Sequence, residues 1–468
     1  MDLTSGSNKV KNDTDRPITL IPNALQGLHN LKKVFLQCKC DGLDLTSCPN
    51  IEEIYIKGPV TLVPNAVHGL LKLKNVSLDC KCDALDLSSC PDIELIDLEG
   101  AVTLLPNGLQ GRQQLKFVSQ NCKCDGLDLS SCRNIAQIYI KEPVILLPNA
   151  LCGVHELFFL RLGCTCDGLD LSSCSSLIEL DINGPVTLLP NALHGLQRLE
   201  KVSLKCTCEG LDLSSCPNIK QIYIDGPVTL LPNALHGLQK LKEVSLNCTC
   251  EELDLSSCRK IEKINLNGHV TLLPYALQNL KKLKMVLTKC NCDGLNLSSC
   301  KNIETIYIKE HGTLLPDALH GLHKLKNVFL YCKCDGLDFS SCPNIQTIHI
   351  DGPVTLLPNT FHGLVELKRL WLKCKCDLLD LSSCQNIKNI NINENVTLLP
   401  NAQHGLQKLE KVVLKCKCDW FDWFVLSDYP YLPMDLWLDT LSLYCKCERQ
   451  YLVSCQNKKI IRDIVARY

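Results

Sequence analysis

Cysteines are the residues whose number and spacing most suggest chemistry. The chain has 33 of them in 468 residues, and Cys-x-Cys pairs recur at steps of 42 residues. The pairs begin at Cys38, Cys80, Cys122, Cys164, Cys206, Cys248, Cys290, Cys332, Cys374 and Cys416. A third cysteine follows at Cys48, Cys90, Cys132, Cys174, Cys216, Cys258, Cys300, Cys342 and Cys384. Such thiols could form disulfides, bind zinc or act as small buried apolar groups.

The elements that position these cysteines are short strands that recur in steps of 20 and then 22 residues. In the first block, Leu31-x-x-Val34-x-Leu36-x-Cys38 alternates apolar and polar residues, and Ile51-x-x-Ile54-x-Ile56 does the same. One coil of each block carries Cys-x-Cys after its strand, and the other carries Gly-Pro. A coil of about 21 residues cannot bury its own aliphatic side chains, so the pattern predicts a stack of coils.

The stacking restricts the chemistry of the thiols. Equivalent cysteines of successive blocks would be two strands, or about 9.6 Å, apart, whereas a disulfide needs Cα atoms within roughly 7 Å. The two members of a pair point the same way, so they are poor partners. A bridge across one coil, from Cys38 or Cys40 to Cys48, remains open beside the favoured interpretation of buried free thiols. Zinc would lack a fourth ligand at tetrahedral spacing.

Two other series could bind metal. Asp41 and Asp44 recur in later blocks and could hold calcium, but the favoured interpretation is a solvated turn beside Lys39. The recurring histidines lie on the return segment, away from the cysteines; they are His68, His194, His236, His320, His362 and His404. We therefore predict no metal site and no cofactor.

The strand patterns resemble the LxxLxL strand of leucine-rich repeats, and Ser47 to Ile56 is similar to their cysteine-containing subtype. Val228–Leu246 resembles the return segment and next strand of that family. The resemblance implies an α/β leucine-rich-repeat horseshoe, or solenoid, of about 20 coils. It also implies a parallel sheet on the concave face and short helical turns on the convex side. We expect Gly58-Pro59 to end its strand and Pro64 to lie in the first turn of a short helix.

Three regions are predicted. Residues 1–16 are polar and expected to be disordered, and residues 17–418 form the solenoid of ten 42-residue double repeats. Residues 419–468 form an aromatic cap with one further repeat. The start of the cap is similar to the C-terminal cysteine cap of extracellular leucine-rich-repeat proteins, which would imply pairing among Cys416, Cys418, Cys445 and Cys455. Because Cys-x-Cys occurs in every block, the match is not specific to a cap.

The candidate binding residues are those that vary between blocks at outward strand positions while the framework stays nearly constant. Exposed aromatic residues and arginine are typical of binding hot spots. The candidates on the concave face are Tyr55, Phe117, Tyr139, Phe159, Arg161, Tyr223, Tyr307, Phe329, Tyr331, His349 and Trp371. The alternative is that exposed strand positions drift and simply favour aromatic residues.

Composition and sequence motifs argue against several classes of function. A net charge of −1 gives no general support for a nucleic-acid partner. No apolar stretch reaches the roughly 20 residues that span a bilayer, and the first 17 residues lack the apolar core of a secretory signal. The expected location is therefore the cytoplasm, or outside the cell if a signal lies upstream. No catalytic motif stands out from the repeat, so we predict that the chain is not an enzyme.

The sequence therefore predicts a module that binds a protein ligand on its concave face. By family analogy, its type would be that of an innate-immune receptor or an adaptor. The alternative is a secreted or cell-surface recognition protein that contains disulfides.

Overall fold

The computed structural model describes residues 9–11, 19–21, 23–309, 312–392, 396–398, 408, 410–414 and 440–443. The chain forms two compact units, unit 1 (Met1–Leu238) and unit 2 (Gln239–Tyr468), and each is described by itself. The described residues contain about 19 turns of parallel strands, close to the 20 coils expected.

Unit 1 is a stack of parallel strands in which each coil pairs with the next. Ile54 and Ile56 lie opposite Val76 and Leu78, so inward residues face inward residues across the sheet. The strands are β1 (Lys9–Lys11), β2 (Thr19–Leu20), β3 (Lys33–Leu36), β4 (Lys39–Leu43), β5 (Glu53–Leu62), β6 (Asn75–Leu85), β7 (Leu95–Leu104), β8 (Phe117–Gln120), β9 (Cys124–Leu127), β10 (Gln137–Leu146), β11 (Phe159–Leu169), β12 (Glu179–Leu188), β13 (Lys201–Leu211) and β14 (Gln221–Leu230).

Unit 2 repeats this arrangement, and Ile348 and Ile350 lie opposite Leu370 and Leu372. Its strands are β15 (Glu243–Leu253), β16 (Lys263–Leu272), β17 (Met285–Thr288), β18 (Asn291–Leu295), β19 (Thr305–Ile308), β20 (Gly312–Leu314), β21 (Asn327–Leu330), β22 (Lys333–Leu337), β23 (Thr347–Leu356), β24 (Arg369–Leu379), β25 (Asn389–Ile392), β26 (Val396–Leu398), β27 (Lys411–Leu414) and β28 (Thr440–Leu443).

The core of each unit is aliphatic, with cysteine as its small member. In β6, Val76, Leu78, Cys80 and Cys82 are buried while the residues between them are more exposed. This alternation follows from the pleat of a strand, which sends successive side chains to opposite faces. Stacking then covers the inward side chains of one coil with those of the next.

The third cysteine of the block has a specific role. The Cys48 thiol donates a hydrogen bond to the Leu25 carbonyl of the preceding turn at 3.1 Å, and Cys216 donates to Leu193 at 3.1 Å. Both thiols are fully buried. A buried carbonyl without a donor is costly, so these cysteines stabilise the return turns as well as filling space.

The expected short helical turns are not seen, because the described residues contain no helix. Each return segment is instead a chain of tight turns, such as Ala66 N–H to Val63 O at 3.1 Å and His68 N–H to Asn65 O at 2.8 Å. An α-helix needs bonds to the residue four positions back. Asn65 and Gly69 have φ of 62° and 79°, and these left-handed residues prevent the helix from propagating.

The expectation that Gly58-Pro59 ends its strand is also wrong, because β5 continues to Leu62. The pairing of β5 with β6 shifts register between Lys57 and Thr61, which is where proline has no N–H to donate. Gly58 has φ of 113°. The Gly-Pro pair is therefore a bulge that bends the strand around the coil.

Two predicted regions are largely outside the described residues. Lys9–Lys11 form a strand paired with β3 within the segment expected to be disordered, and the rest of 1–16 is not described. Of the predicted cap at 419–468, only Thr440–Leu443 is described; it pairs with β27. The cysteine pairing implied for the cap falls on residues outside the described ones.

Candidate functional site

The outward residues of neighbouring strands form rows on the exposed face of each sheet. The residues that flank them, such as Val328, Leu330 and Ile348, are fully buried. Parallel pairing aligns the outward residue of one strand with that of the next, so Phe329 lies opposite His349 and His349 opposite Trp371. Adjacent strands are about 4.8 Å apart, which brings aromatic rings at these positions into contact.

Five candidates in unit 2 form one cluster, the Trp371 patch. It comprises Tyr307, Phe329, Tyr331, His349 and Trp371. The ring centroids of Tyr307 and Tyr331 are 5.5 Å apart, those of Tyr331 and His349 are 5.2 Å apart, and those of His349 and Trp371 are 4.8 Å apart. Trp371 is 43% exposed and lies opposite Asn391 on the next strand. The patch therefore presents ring edges and one indole to solvent.

Four candidates in unit 1 form a second cluster, the Tyr139 patch, of Phe117, Tyr139, Phe159 and Arg161. The Tyr139 ring lies 5.6 Å from Phe117 and 4.7 Å from Phe159. The Arg161 guanidinium lies 5.7 Å from the centroid of the Phe159 ring and donates to Asp181 at 2.8 Å. A guanidinium held by a ring and a carboxylate is preorganised for a polar contact.

The two remaining candidates lie outside these patches. Tyr55 is 48% exposed and stacks on Phe35 with ring centroids 6.0 Å apart. Tyr223 lies in the outward row opposite Ser203.

Phe158, Ala136 and Ile178 lie beside the Tyr139 patch and are not among the candidates predicted from the sequence. Their position, just before the strand, carries a charge in most coils, and neighbouring coils pair there, as in Lys32–Glu52 at 3.1 Å and Lys116–Glu94 at 2.8 Å. Three successive coils replace the charge with an apolar residue, and Phe158 is 38% exposed. Comparing this position between coils would have revealed the gap.

The charges around the Trp371 patch affect its titration. Burial lowers the pKa of His349, and the Asp351 carboxylate opposes that shift. Burial, with the nearby Tyr307 and Asp351, raises the pKa of Tyr331. Asp351 itself is bound by Lys373 at 2.9 Å. The patch therefore carries a neutral imidazole and a neutral phenol at neutral pH.

The 28 described cysteines are not joined in disulfides, and all but Cys152 are buried. The cross-coil bridge from Cys38 or Cys40 to Cys48 is therefore not formed in the part of the chain that the structure describes. Burial raises the pKa of the Cys174 thiol to about 12. Within the described ranges, no three His, Cys, Asp or Glu side chains are grouped as metal ligands.

The recurring aspartates accept hydrogen bonds from backbone N–H groups of the turns. Asp44 accepts a hydrogen bond from the Thr46 N–H at 2.9 Å, and Asp212 accepts one from Ser214 at 2.8 Å. This side-chain to backbone bond two residues on is typical of turns. Asp41 lies 3.9 Å from Lys39 in an exposed ion pair. These contacts favour the solvated turn over a calcium site.

Comparison with known proteins identifies the fold of the chain. No model of a known protein family matches the sequence, and no curated protein matches it. Among solved structures, PEPR1-AtPEP1 is similar at a TM-score of 0.56 and 16% identity over 86% of this chain, which spans 64% of that chain. A TDR receptor is similar at a TM-score of 0.52 and 14% identity, over 83% of this chain and 81% of that one.

The Arabidopsis receptor kinase HAESA, in complex with the peptide hormone IDA and the co-receptor SERK1, aligns at a TM-score of 0.49 and 14% identity, over 89% of this chain and 84% of that one. No helix long and apolar enough to cross a membrane occurs in the residues that the structure describes. At these identities the likeness shows the fold alone. With parallel coils of about 20 residues and many cysteines, the chain has the leucine-rich-repeat fold.

Proposed function

We propose that the chain is a protein-binding module that recognises a protein or peptide ligand on the exposed face of its strands, at the Trp371 patch and the Tyr139 patch. One observation carries the proposal. Side chains that are 20 or 22 residues apart in the sequence, such as Tyr139 and Phe159 or His349 and Trp371, come into ring contact on a solvent-facing surface, while the residues that flank them fill the core.

The composition of the patches supports a protein ligand. Tyrosine, tryptophan and arginine are the residues most enriched at binding hot spots, because they combine a large apolar area with a polar group. The Tyr139 patch is widened by Phe158, which lies where most other coils place a charge. A neutral His349 beside Trp371 adds a polar contact without a charge to desolvate.

The fold is compatible with this use, since one structure with a TM-score above 0.5 is a receptor and another was solved as PEPR1-AtPEP1. The innate-immune or adaptor role stays a prediction. The buried free thiols favour a reducing compartment, which supports the cytoplasm over the secreted alternative.

Peptides selected from a displayed random library against the full chain provide the probe. Their dissociation constants are then measured for the wild type, for Phe329→Ala/Trp371→Ala and for Tyr139→Ala/Phe159→Ala. Loss of a hot spot costs about 2 kcal/mol or more, which is a weakening of about 30-fold. Each selected peptide should lose that affinity with one of the two double variants.

Ser203→Ala is the matched control, because Ser203 lies in the same outward row and outside both patches. It should change affinity by less than about two-fold. Peptides that bind both double variants as tightly as the wild type would show that neither patch is the binding surface.

A further inference from the structure

One edge of unit 2 carries far more lysine than carboxylate. It lies on the turns that precede β15, β16, β17, β19 and β21, and we call it the lysine edge. Its cations are all exposed and are Lys240, Lys242, Arg259, Lys260, Lys281, Lys282, Lys284, Lys301, Lys324 and Lys326. Its two carboxylates are those of Glu262 and Glu304.

The same positions in unit 1 provide an internal comparison. Between His29 and Lys116 they carry four cations, Lys32, Lys72, Lys74 and Lys116, and three carboxylates, Glu52, Asp92 and Glu94. The lysine edge carries ten cations and two carboxylates over the same number of coils. The excess of positive charge is therefore local and is not a property of the repeat.

The two carboxylates are already engaged. Lys284 lies 2.8 Å from Glu262, and Lys326 lies 2.8 Å from Glu304. Lys282 and Lys324 lie beside the same carboxylates and line a shallow depression with them. Two carboxylates cannot neutralise ten cations, so the edge holds a net positive field that attracts anionic groups.

The spacing of the lysines suits an extended chain. Lys242, Lys284 and Lys326 occupy equivalent positions in every second coil, so they recur at about 9.6 Å. A peptide in the extended polyproline II conformation has three residues per turn and advances about 3.1 Å per residue. Acidic residues at every third position of such a peptide would therefore lie on one face and recur at about 9.3 Å, close to the spacing of these lysines.

The chemistry of the edge favours a peptide over a nucleic acid. Glu262 and Glu304 lie between the lysines, where they could accept hydrogen bonds from the N–H groups of a peptide backbone, whereas a phosphate backbone would offer them only acceptors. Single-stranded nucleic acids are usually held by aromatic side chains as well as cations, and the depression in the edge is lined by Lys, Glu and Asn. We propose that the lysine edge of unit 2 binds an extended acidic segment of a partner protein.

The test uses the full chain and a fluorescein-labelled peptide of about nine residues with glutamate at every third position. Fluorescence anisotropy gives the dissociation constant at about 50 mM and about 200 mM salt. Lys282→Gln/Lys324→Gln should weaken binding by about five-fold or more at the lower salt and reduce the dependence on salt.

The matched control is Lys72→Gln/Arg198→Gln, which removes two charges from the equivalent positions of unit 1 and should change affinity by less than about two-fold. Equal weakening by both double variants, or no binding at the lower salt, would overturn the proposal. So would an oligonucleotide of equal charge that binds as tightly as the peptide and loses as much with the unit 2 variant, because the edge would then recognise any polyanion.

Discussion

His349 and Trp371 lie opposite each other on neighbouring strands, with ring centroids 4.8 Å apart and ring planes 17° apart. The stack removes one face of the imidazole from water. This explains why burial lowers the pKa of His349 although Asp351 lies nearby. The ring contact therefore links the titration of one outward residue to the folding of the patch.

The first prediction concerns pH. Because the pKa of His349 is lower in the folded state, the unfolded chain binds this proton first as the pH falls. The stabilisation is present above the unfolded pKa of about 6.5 and is lost below it. The urea midpoint should fall more between about pH 7.5 and about pH 5.5 for the wild type than for His349→Gln. Equal shifts would contradict the prediction.

The second prediction concerns the buried thiols. Cys216→Ala leaves the Leu193 carbonyl without the donor that lies 3.1 Å away, and it also opens a small cavity. The expected loss in the free energy of unfolding is about 1–3 kcal/mol, measured by urea unfolding. Cys152→Ala, at the exposed described cysteine, is the control and should change stability by less than about 0.5 kcal/mol. An unchanged free energy of unfolding in Cys216→Ala would mean that the thiol only fills space.

Much of the fold follows from the alternation of residues. Burial of Val34 and Leu36, and exposure of Tyr55 between Ile54 and Ile56, are confirmed because the two-residue period of a strand determines which face each side chain occupies. The contacts within the Trp371 patch follow from the same alternation together with the constant register. The use of these residues in binding stays a prediction.

The rest depends on backbone geometry that residue type alone does not determine. The left-handed φ of Asn65 turns an expected helix into tight turns, and the φ of Gly58 turns an expected strand end into a bulge. Asparagine and glycine permit these conformations without requiring them. The bond from Cys48 to Leu25 joins residues 23 apart, and only the stacking of coils brings them together.

The third prediction tests the oxidation state of the thiols. A brief treatment of the native chain with iodoacetamide, followed by peptide mass spectrometry, should modify Cys152 well before Cys174 or Cys216. Cys174 is buried and its pKa is raised to about 12 by burial, so little thiolate is available to react. After denaturation without reductant, all three should react. A Cys40 and a Cys48 that react only after reduction would show a cross-coil disulfide.

The fourth prediction concerns the gap in the charged positions beside the Tyr139 patch. Phe158→Lys/Ile178→Glu restores a pair like Lys32–Glu52, which spans the same 20 residues. Because Phe158 is 38% exposed, stability should change by less than about 0.5 kcal/mol. Library-selected peptides that lose affinity with Tyr139→Ala/Phe159→Ala should also lose affinity with this variant. Unchanged affinity would show that Phe158 and Ile178 lie outside the contact.

The fifth prediction uses a natural exchange of charge between coils. Glu200 and Lys220 form a pair at 2.7 Å in which the acid precedes the base, whereas in Lys32–Glu52 the base precedes the acid. The backbone therefore accepts either order, and only the opposite signs matter. Glu200→Lys and Lys220→Glu should each reduce stability, by up to about 1 kcal/mol because both side chains are 43% exposed.

The double exchange should restore most of that loss in urea unfolding. A double variant as unstable as the sum of its parts would show that the two residues do not interact, since coupling is the difference that a double-mutant cycle measures.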